Sequence, residues 1–208
     1  MQVLKETNSY RLALKDRILD TAIRLFMTQG IRAVKMDDIA QQLAISKRTL
    51  YEIYADKEEL LYQSIAKYDR QRAERMADFV AQGHNVVDII LESYRIKVDE
   101  VHNVNSLFYE DILKYPKVAQ YIRENHEQVR QKFLVFMQQG VSEGIFRPDV
   151  NCDMVPMLLD AIGHYIMTNG LLHKYSVEEL FANFFLVSLR GLCTEHGVKA
   201  LDEAMAKV

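Results

Sequence analysis

The run of residues 36–54 constrains the fold of this chain more than any other stretch, because it fits two short helices joined by an abrupt bend. Apolar residues recur at helical spacing on both sides of the bend: Ile39 with Leu43, Leu50 with Ile53, and Ile45 between the two pairs. Two short helices that meet at an angle over a small apolar base are typical of a helix-turn-helix.

The second of these helices has a start signal and a cationic first turn. Ser46 can cap its N-terminus, which places Lys47, Arg48 and Thr49 in the exposed first turn. Arg and Lys can hydrogen-bond guanine O6 and N7 in the major groove. Lys47 and Arg48 are therefore predicted to contact bases.

Polar residues around that turn suit contacts to the DNA backbone. Thr49, Tyr51, Tyr54 and Lys57 are predicted to bind phosphates and to set the register of the protein on the duplex. For Tyr51 and Tyr54 there is an alternative, in which the ring packs between helices.

The charge of the chain is divided unevenly, although its formal net value is only −3 over 208 residues. Residues 1–57 hold ten Lys and Arg against seven Asp and Glu, a net +3, which leaves −6 for residues 58–208. This division favours a DNA-binding segment on an acidic body, although +3 is also within ordinary surface variation.

The remaining pattern is helical throughout. A helix over 12–29 ends at Gly30, one over 57–81 follows a cap at Asp56, and Pro116 ends a helix over 106–115. No apolar run reaches the length of a membrane span and residues 1–10 have no secretion signal, so a cytoplasmic protein without a membrane partner is expected.

The last two predicted helices, over 152–172 and 177–193, are apolar on nearly every side. Such helices need cover on two faces, and a second copy of the chain can supply it in a symmetric four-helix interface. The alternative is a hairpin fully buried within a monomer. The predicted dimer interface is Leu158, Ile162, Tyr165, Ile166, Leu180, Phe184 and Val187.

A ligand pocket is predicted where polar or polarizable residues interrupt the apolar helices of the body. Its candidate residues are Met76, Phe79, Tyr94, Tyr109, His126, Phe133, Met137, His164 and Tyr165. The same residues would equally suit a well-filled core.

Catalysis is not predicted. The chain has no Gly-rich phosphate loop, no His-Glu-x-x-His pair and no Gly-x-Ser-x-Gly sequence, and its six histidines are scattered. Cys152 and Cys193 have no partner ligands at metal spacing. No catalytic residue, metal or cofactor is expected.

Three spaced signals together resemble a known family: Arg17 to Gly30, Met36 to Ala40, and Ser46 to Leu60 with its Leu50-Tyr51 and Asp56-Lys57-Glu58. They are similar to the N-terminal domain of TetR-family (tetracycline-repressor-like) transcriptional regulators. The resemblance covers about residues 12–62, and beyond it the body matches the family only in architecture.

The resemblance implies a homodimer that binds DNA and usually a small-molecule effector. Carried over residue by residue, it implies DNA contacts at Lys35, Met36, Lys47, Arg48, Thr49, Tyr51, Tyr54 and Lys57. Two positions depart from the family. Lys35 stands where a capping Thr is common, and Ala44 stands where the bend usually has Gly.

The predicted fold is all-α, with about nine helices. A three-helix helix-turn-helix DNA-binding domain spans residues 1–60, and a helical effector-binding and dimerisation domain spans residues 61–208. The predicted function is that of a ligand-responsive homodimeric repressor on a palindromic operator of double-stranded DNA. The alternative is a ligand-independent DNA-binding protein of the same fold, such as a nucleoid or division factor.

Overall fold

The computed structural model describes residues 2–207, with their side chains except at positions 2–9, 101, 126 and 127. Over that range the chain forms ten α-helices and no strand, apart from an isolated backbone bridge between Phe146 and Cys193. The prediction of an all-α fold is confirmed. The helices are α1 (Gln2–Gln29), α2 (Met36–Gln42), α3 (Lys47–Ile53), α4 (Lys57–Ala81), α5 (Val86–Asn103), α6 (Ser106–Ile112), α7 (Pro116–Ser142), α8 (Met154–Thr168), α9 (177–192) and α10 (Glu195–Met205).

The chain divides into two compact units. Unit 1 comprises the residues up to Ala73 together with Asn103–Arg123, and unit 2 comprises Glu74–His102 together with the residues from Glu124 on. Helices α4 and α7 contribute residues to both units. The predicted functional division into residues 1–60 and 61–208 is a different partition, and it stays a prediction.

Unit 1 is built around the helix-turn-helix. Its core contains Ile18 and Phe26 of α1, Ile39 of α2, Leu50 of α3 and Leu60 of α4, all fully buried. The spacing of the α1 residues follows the predicted apolar stripe, although the helix begins at Gln2 rather than near residue 12. Gly30 ends α1 with φ +88°, a conformation that few residues other than glycine adopt.

Helix α6 and the start of α7 belong to the same unit. The N–H of Asn105 donates to the carbonyl of Met27 at 2.7 Å, and Arg32 pairs with the buried carboxylate of Asp111 at 3.2 Å. Pro116 is the first residue of α7 rather than the end of the preceding helix, because proline lacks the N–H that a first helical position leaves unpaired.

Unit 2 has its own core, in which Met137, Phe146 and Leu201 are almost fully buried. Leu201 lies on α10, a helix that the sequence patterns did not predict. Thr194 caps α10 by accepting a hydrogen bond from the N–H of Gly197 at 3.0 Å.

Helix α9 has a wide turn in its middle. It begins with the predicted capping box, in which Ser176 and Glu179 bond each other's backbone N–H at 2.9 and 3.1 Å. It then continues as a π-helical segment over Phe181–Leu186 before it returns to α-helix.

The bend between α2 and α3 is a Schellman motif with alanine in the position that glycine usually occupies. Ala44 has φ +53°, its N–H donates to Gln41 O at 3.1 Å, and the N–H of Ile45 donates to Ala40 O at 3.0 Å. A Cβ in the left-handed region is strained by roughly 1 kcal/mol.

Replacing Ala44 with glycine should therefore stabilise the protein. We expect Ala44→Gly to raise the free energy of unfolding by about 1 kcal/mol, measured by urea denaturation followed by circular dichroism. The same substitution at Ala73, exposed within helix α4, should lower it by about 0.5–1 kcal/mol. Equal effects at the two positions would refute the strain at Ala44.

Candidate nucleic-acid interface

The first turn of α3 is held by the predicted cap. The Ser46 hydroxyl accepts a hydrogen bond from the N–H of Thr49 at 3.0 Å and lies 2.8 Å from the Thr49 hydroxyl. Lys47 and Arg48 are exposed and Thr49 is half-buried, while Leu50 directly after them is fully buried. The short helix is thus anchored by one side chain and presents its first turn outward.

Each of the two cations in this turn has a carboxylate partner. The Nζ atom of Lys47 lies 2.9 and 3.0 Å from the two carboxylate oxygens of Asp37 on α2. The Nε atom of Arg48 lies 2.9 Å from Glu52, one turn further along α3, and the Arg48 side chain is 89% exposed. Hydrogen bonding to Asp37 raises the pKa of Lys47, so this side chain stays charged at neutral pH.

Tyr51 is exposed beside the same turn. Its ring is 6.0 Å from the Nζ atom of Lys47, measured to the ring centroid. The structure therefore places the exposed Tyr51 on the same surface as Lys47.

Lys35 and Met36 begin α2 and differ in exposure. Lys35 is exposed, and its backbone N–H donates to the Asp38 carboxylate at 2.7 Å. Met36 is only 5% exposed and packs in the core of unit 1. The predicted DNA contact of the Met36 side chain is therefore wrong, because this side chain lies in the core and does not reach the surface.

Lys57, the first residue of α4, is half-buried. Its Nζ atom lies 5.8 Å from the centroid of the Phe26 ring, and burial lowers the pKa of this ammonium while Asp111 and Asp38 act in the opposite direction. Asp56 caps the helix as predicted, accepting from the N–H of Glu59 at 2.7 Å.

Tyr54 is a core residue, which is the alternative that its position left open. It is 7% exposed and packs with the core of unit 1. Burial, with smaller contributions from Asp16 and Glu59, raises the pKa of Tyr54 to about 12. The predicted phosphate contact is corrected here, since the ring is enclosed by the helices that it joins.

A family model described as "Bacterial regulatory proteins, tetR family" matches residues 18–63, the segment that holds α2, α3 and the capped start of α4. The chain thus carries the DNA-binding domain of the TetR family. It is a DNA-binding transcriptional regulator, in agreement with the names of its curated relatives.

Two of these relatives match most of the chain of this TetR-family regulator. The HTH-type transcriptional repressor KstR2 of Mycobacterium tuberculosis is 26% identical over 160 residues, 74% of this chain and 78% of that protein. The HTH-type transcriptional regulator UidR of Escherichia coli is 26% identical over 183 residues, 86% of this chain and 93% of that protein.

The fold is shared with solved structures. A transcriptional regulator from Saccharomonospora viridis, in complex with choline, has a TM-score of 0.72 at 18% identity and covers 88% of this chain and 99% of its own. The structure of KstR2 from Mycobacterium tuberculosis has a TM-score of 0.57 at 22% identity, with 87% and 95% covered.

The residues predicted to line an effector pocket are dispersed in this regulator. Tyr109 packs against the core of unit 1, Met137 is fully buried in the core of unit 2, and His164 and Tyr165 are exposed on α8. The prediction that these four residues share a pocket is therefore corrected: two of them are core residues and two are surface residues. His126 lies outside the residues whose side chains are described.

The other candidates, Met76, Phe79, Tyr94 and Phe133, are half-buried in unit 2. The Tyr94 ring lies 4.1 Å from that of Phe181 in the π-helical segment, and the Phe79 ring stacks on His84 at 3.8 Å, both between centroids. A separate open groove of about 450 Å³ is lined in part by Asp88, Glu143, His196 and Glu203, and by none of the predicted pocket residues.

The predicted dimer residues fall into two groups. Ile166 and Leu180 are buried within the chain, so their predicted contact with a second copy is corrected. Leu158, Tyr165 and Val187 are 46%, 53% and 57% exposed, and Ile162 and Phe184 are half-buried. The alternative of a hairpin fully buried in one chain does not hold, because one side of α8 is open.

Sequence reasoning did not identify Asp37 and Glu52 as part of this surface. Glu52 stands four residues after Arg48, a spacing that predicts a helical ion pair. Asp37 is ten residues from Lys47, across the bend, so its contact depends on the angle between α2 and α3.

Within the described residues, no helix is both long and apolar enough to cross a membrane. The same residues contain no group of three or more His, Cys, Asp or Glu side chains placed to hold a metal ion.

The raised pKa of Tyr54 predicts a loss of stability in alkaline solution. Below pH 10 the phenol is neutral in both states, whereas between pH 10 and about 12 it ionises only when the chain unfolds. Over that range the wild-type protein should lose on the order of 2 kcal/mol relative to Tyr54→Phe, measured by urea denaturation at several pH values. Parallel pH profiles for the two proteins would contradict the burial of the hydroxyl.

Proposed function

We propose that this regulator is a homodimeric repressor that reads a palindromic operator with the first turn of α3 of each subunit. The observation that carries the proposal is the pair of exposed cations, Lys47 and Arg48, at the start of a helix in which Leu50 is fully buried. A capped, cationic helix start on a buried base suits entry into the major groove. The name of the relative KstR2 as a repressor supports the direction of regulation.

The roles of the individual residues follow from their exposure. Lys47 and Arg48 read bases, since both are exposed cations at the N-terminal end of α3. Thr49 and Tyr51 bind phosphates beside them. Lys35 neutralises a phosphate at the start of α2, and the half-buried Lys57 does so at the start of α4.

The division between base and phosphate contacts can be measured by salt titration on two duplexes, one selected from a random library by the wild-type protein and one of unrelated sequence. Lys35→Ala should weaken binding to both duplexes and reduce the salt slope by about 1. Arg48→Ala should cost about 1–3 kcal/mol on the selected duplex alone. Lys199→Ala, an exposed lysine on α10, is the matched control. Indistinguishable effects of Lys35→Ala and Arg48→Ala would refute the assignment.

The dimer forms through the open side of α8 and the adjoining part of α9. Met154, Leu158, Ala161 and Tyr165 are exposed at spacings of four, three and four residues, which is a continuous stripe on one face of α8. Val187 of α9 is exposed as well. An apolar stripe of this kind suits a two-fold packing of the α8–α9 pairs, and the two-fold axis then matches a palindromic operator.

A charge placed in that stripe should prevent dimerisation. We expect Leu158→Glu to be monomeric in sedimentation velocity and to lose cooperative binding to a palindromic duplex, because a carboxylate would be buried without a partner. Leu113→Glu, at a position that is 59% exposed at the end of α6, should remain dimeric. A dimeric Leu158→Glu would place the interface elsewhere.

The effector-binding and dimerisation domain is assigned to residues 61–208, and the DNA-binding domain to residues 1–60. A small molecule in the former domain favours a spacing of the two DNA-binding domains that no longer fits successive major grooves. Long helix α4, which starts beside Phe26 and continues to Ala81, transmits the change. The choline complex of the regulator from Saccharomonospora viridis supports this, since a related fold accommodates a small molecule.

Coupling between effector and operator is reciprocal by thermodynamic linkage. A compound that raises the melting temperature should weaken operator binding, and operator DNA should weaken binding of the compound by the same factor, both measured by titration calorimetry. A stabilising compound that leaves operator affinity unchanged would separate ligand binding from regulation. The alternative of a ligand-independent nucleoid or division factor is not favoured by the names of the relatives.

A further inference from the structure

The two cations that read bases in the proposed function are both held by carboxylates that the function does not use. Lys47 contacts both oxygens of Asp37, and Arg48 contacts Glu52 through Nε. All four side chains are more than half exposed, so burial does not account for the pairing. This surface must approach polyanionic DNA, and two carboxylates there weaken the electrostatic attraction. Their presence is explained if they contribute to the selection of DNA sequence.

The geometry leaves donors available on both cations. A guanidinium has five N–H groups, and the contact of Glu52 with Nε involves one of them, so the Nη groups can still approach guanine. An ammonium has three N–H groups for the two oxygens of Asp37. Base contacts are therefore compatible with the ion pairs.

Phosphate contacts are affected differently. A phosphate that took the place of a carboxylate would have to break the ion pair. A phosphate that bound beside the intact ion pair would lie close to the negative charge of the carboxylate. Asp37 belongs to α2 and Lys47 to α3, so this pair also ties the cation to the helix beside it. The two ion pairs therefore reduce the binding free energy more when Lys47 and Arg48 contact phosphates than when they contact base edges.

We propose that Asp37 and Glu52 are specificity-determining residues, which position Lys47 and Arg48 for base contacts and oppose their use as general phosphate contacts. The inference rests on the proposed function, since it requires that α3 reads DNA. It assigns selectivity to residues whose charge opposes binding to the phosphate backbone.

The test compares affinities for the duplex selected by the wild-type protein with those for poly(dI-dC), in the same salt. Asp37→Asn and Glu52→Gln should each raise non-specific affinity and lower the ratio of specific to non-specific affinity by about three- to tenfold. Glu203→Gln is the matched control, because Glu203 forms an exposed i,i+4 pair with Lys199 far from α3 in the sequence. It should leave the ratio unchanged.

A second pair of variants separates positioning from general repulsion. In an Arg48→Ala background, Glu52→Gln should no longer lower the ratio, because the side chain that Glu52 positions is absent. An equal rise in specific and non-specific affinity, or an undiminished effect in that background, would overturn the inference. Failure of the wild-type protein to select any duplex would instead overturn the proposed function.

Discussion

The proposed DNA-binding surface depends on the burial of Leu50. Helix α3 has seven residues, which is too short for a helix to be stable by itself in water. Leu50 is fully buried in a core that also contains side chains of α1, α2 and α4, and the Ser46 cap satisfies an N–H at the start of the helix. The anchor and the cap together fix the direction in which Lys47 and Arg48 leave the protein.

The same core explains why neighbouring residues have different roles. Tyr54 ends α3 on its buried side, and Met36 begins α2 on its buried side, so both stabilise the angle between the helices rather than meet a ligand. The strained backbone at Ala44 lies between them, and Ile45 after it packs against the core. The cost of a left-handed alanine is offset by burial on both sides of the bend.

In unit 2 the apolar content of α8 and α9 is shared between an interior and an open face. Val155 and Ile166 of α8 and Leu186 of α9 are buried, while Met157, Leu158 and Tyr165 are exposed. If every apolar residue of these two helices were buried, α8 and α9 would present no apolar surface to a partner. The open side is therefore consistent with the proposed association of two chains.

The sequence by itself predicted most of the helices, several of their caps and the family resemblance, although it missed helix α10. These features depend on residues close together in the chain, such as Ser46 with Thr49 and Ser176 with Glu179, so spacing alone predicts them. Only the tertiary structure decided which side of each helix is covered. It placed Met36, Tyr54 and Met137 inside, left His164 and Tyr165 outside, and brought Asp37 to Lys47 across the bend. The physical reason is that burial and long-range ion pairs depend on the packing angles between helices, which local spacing does not encode.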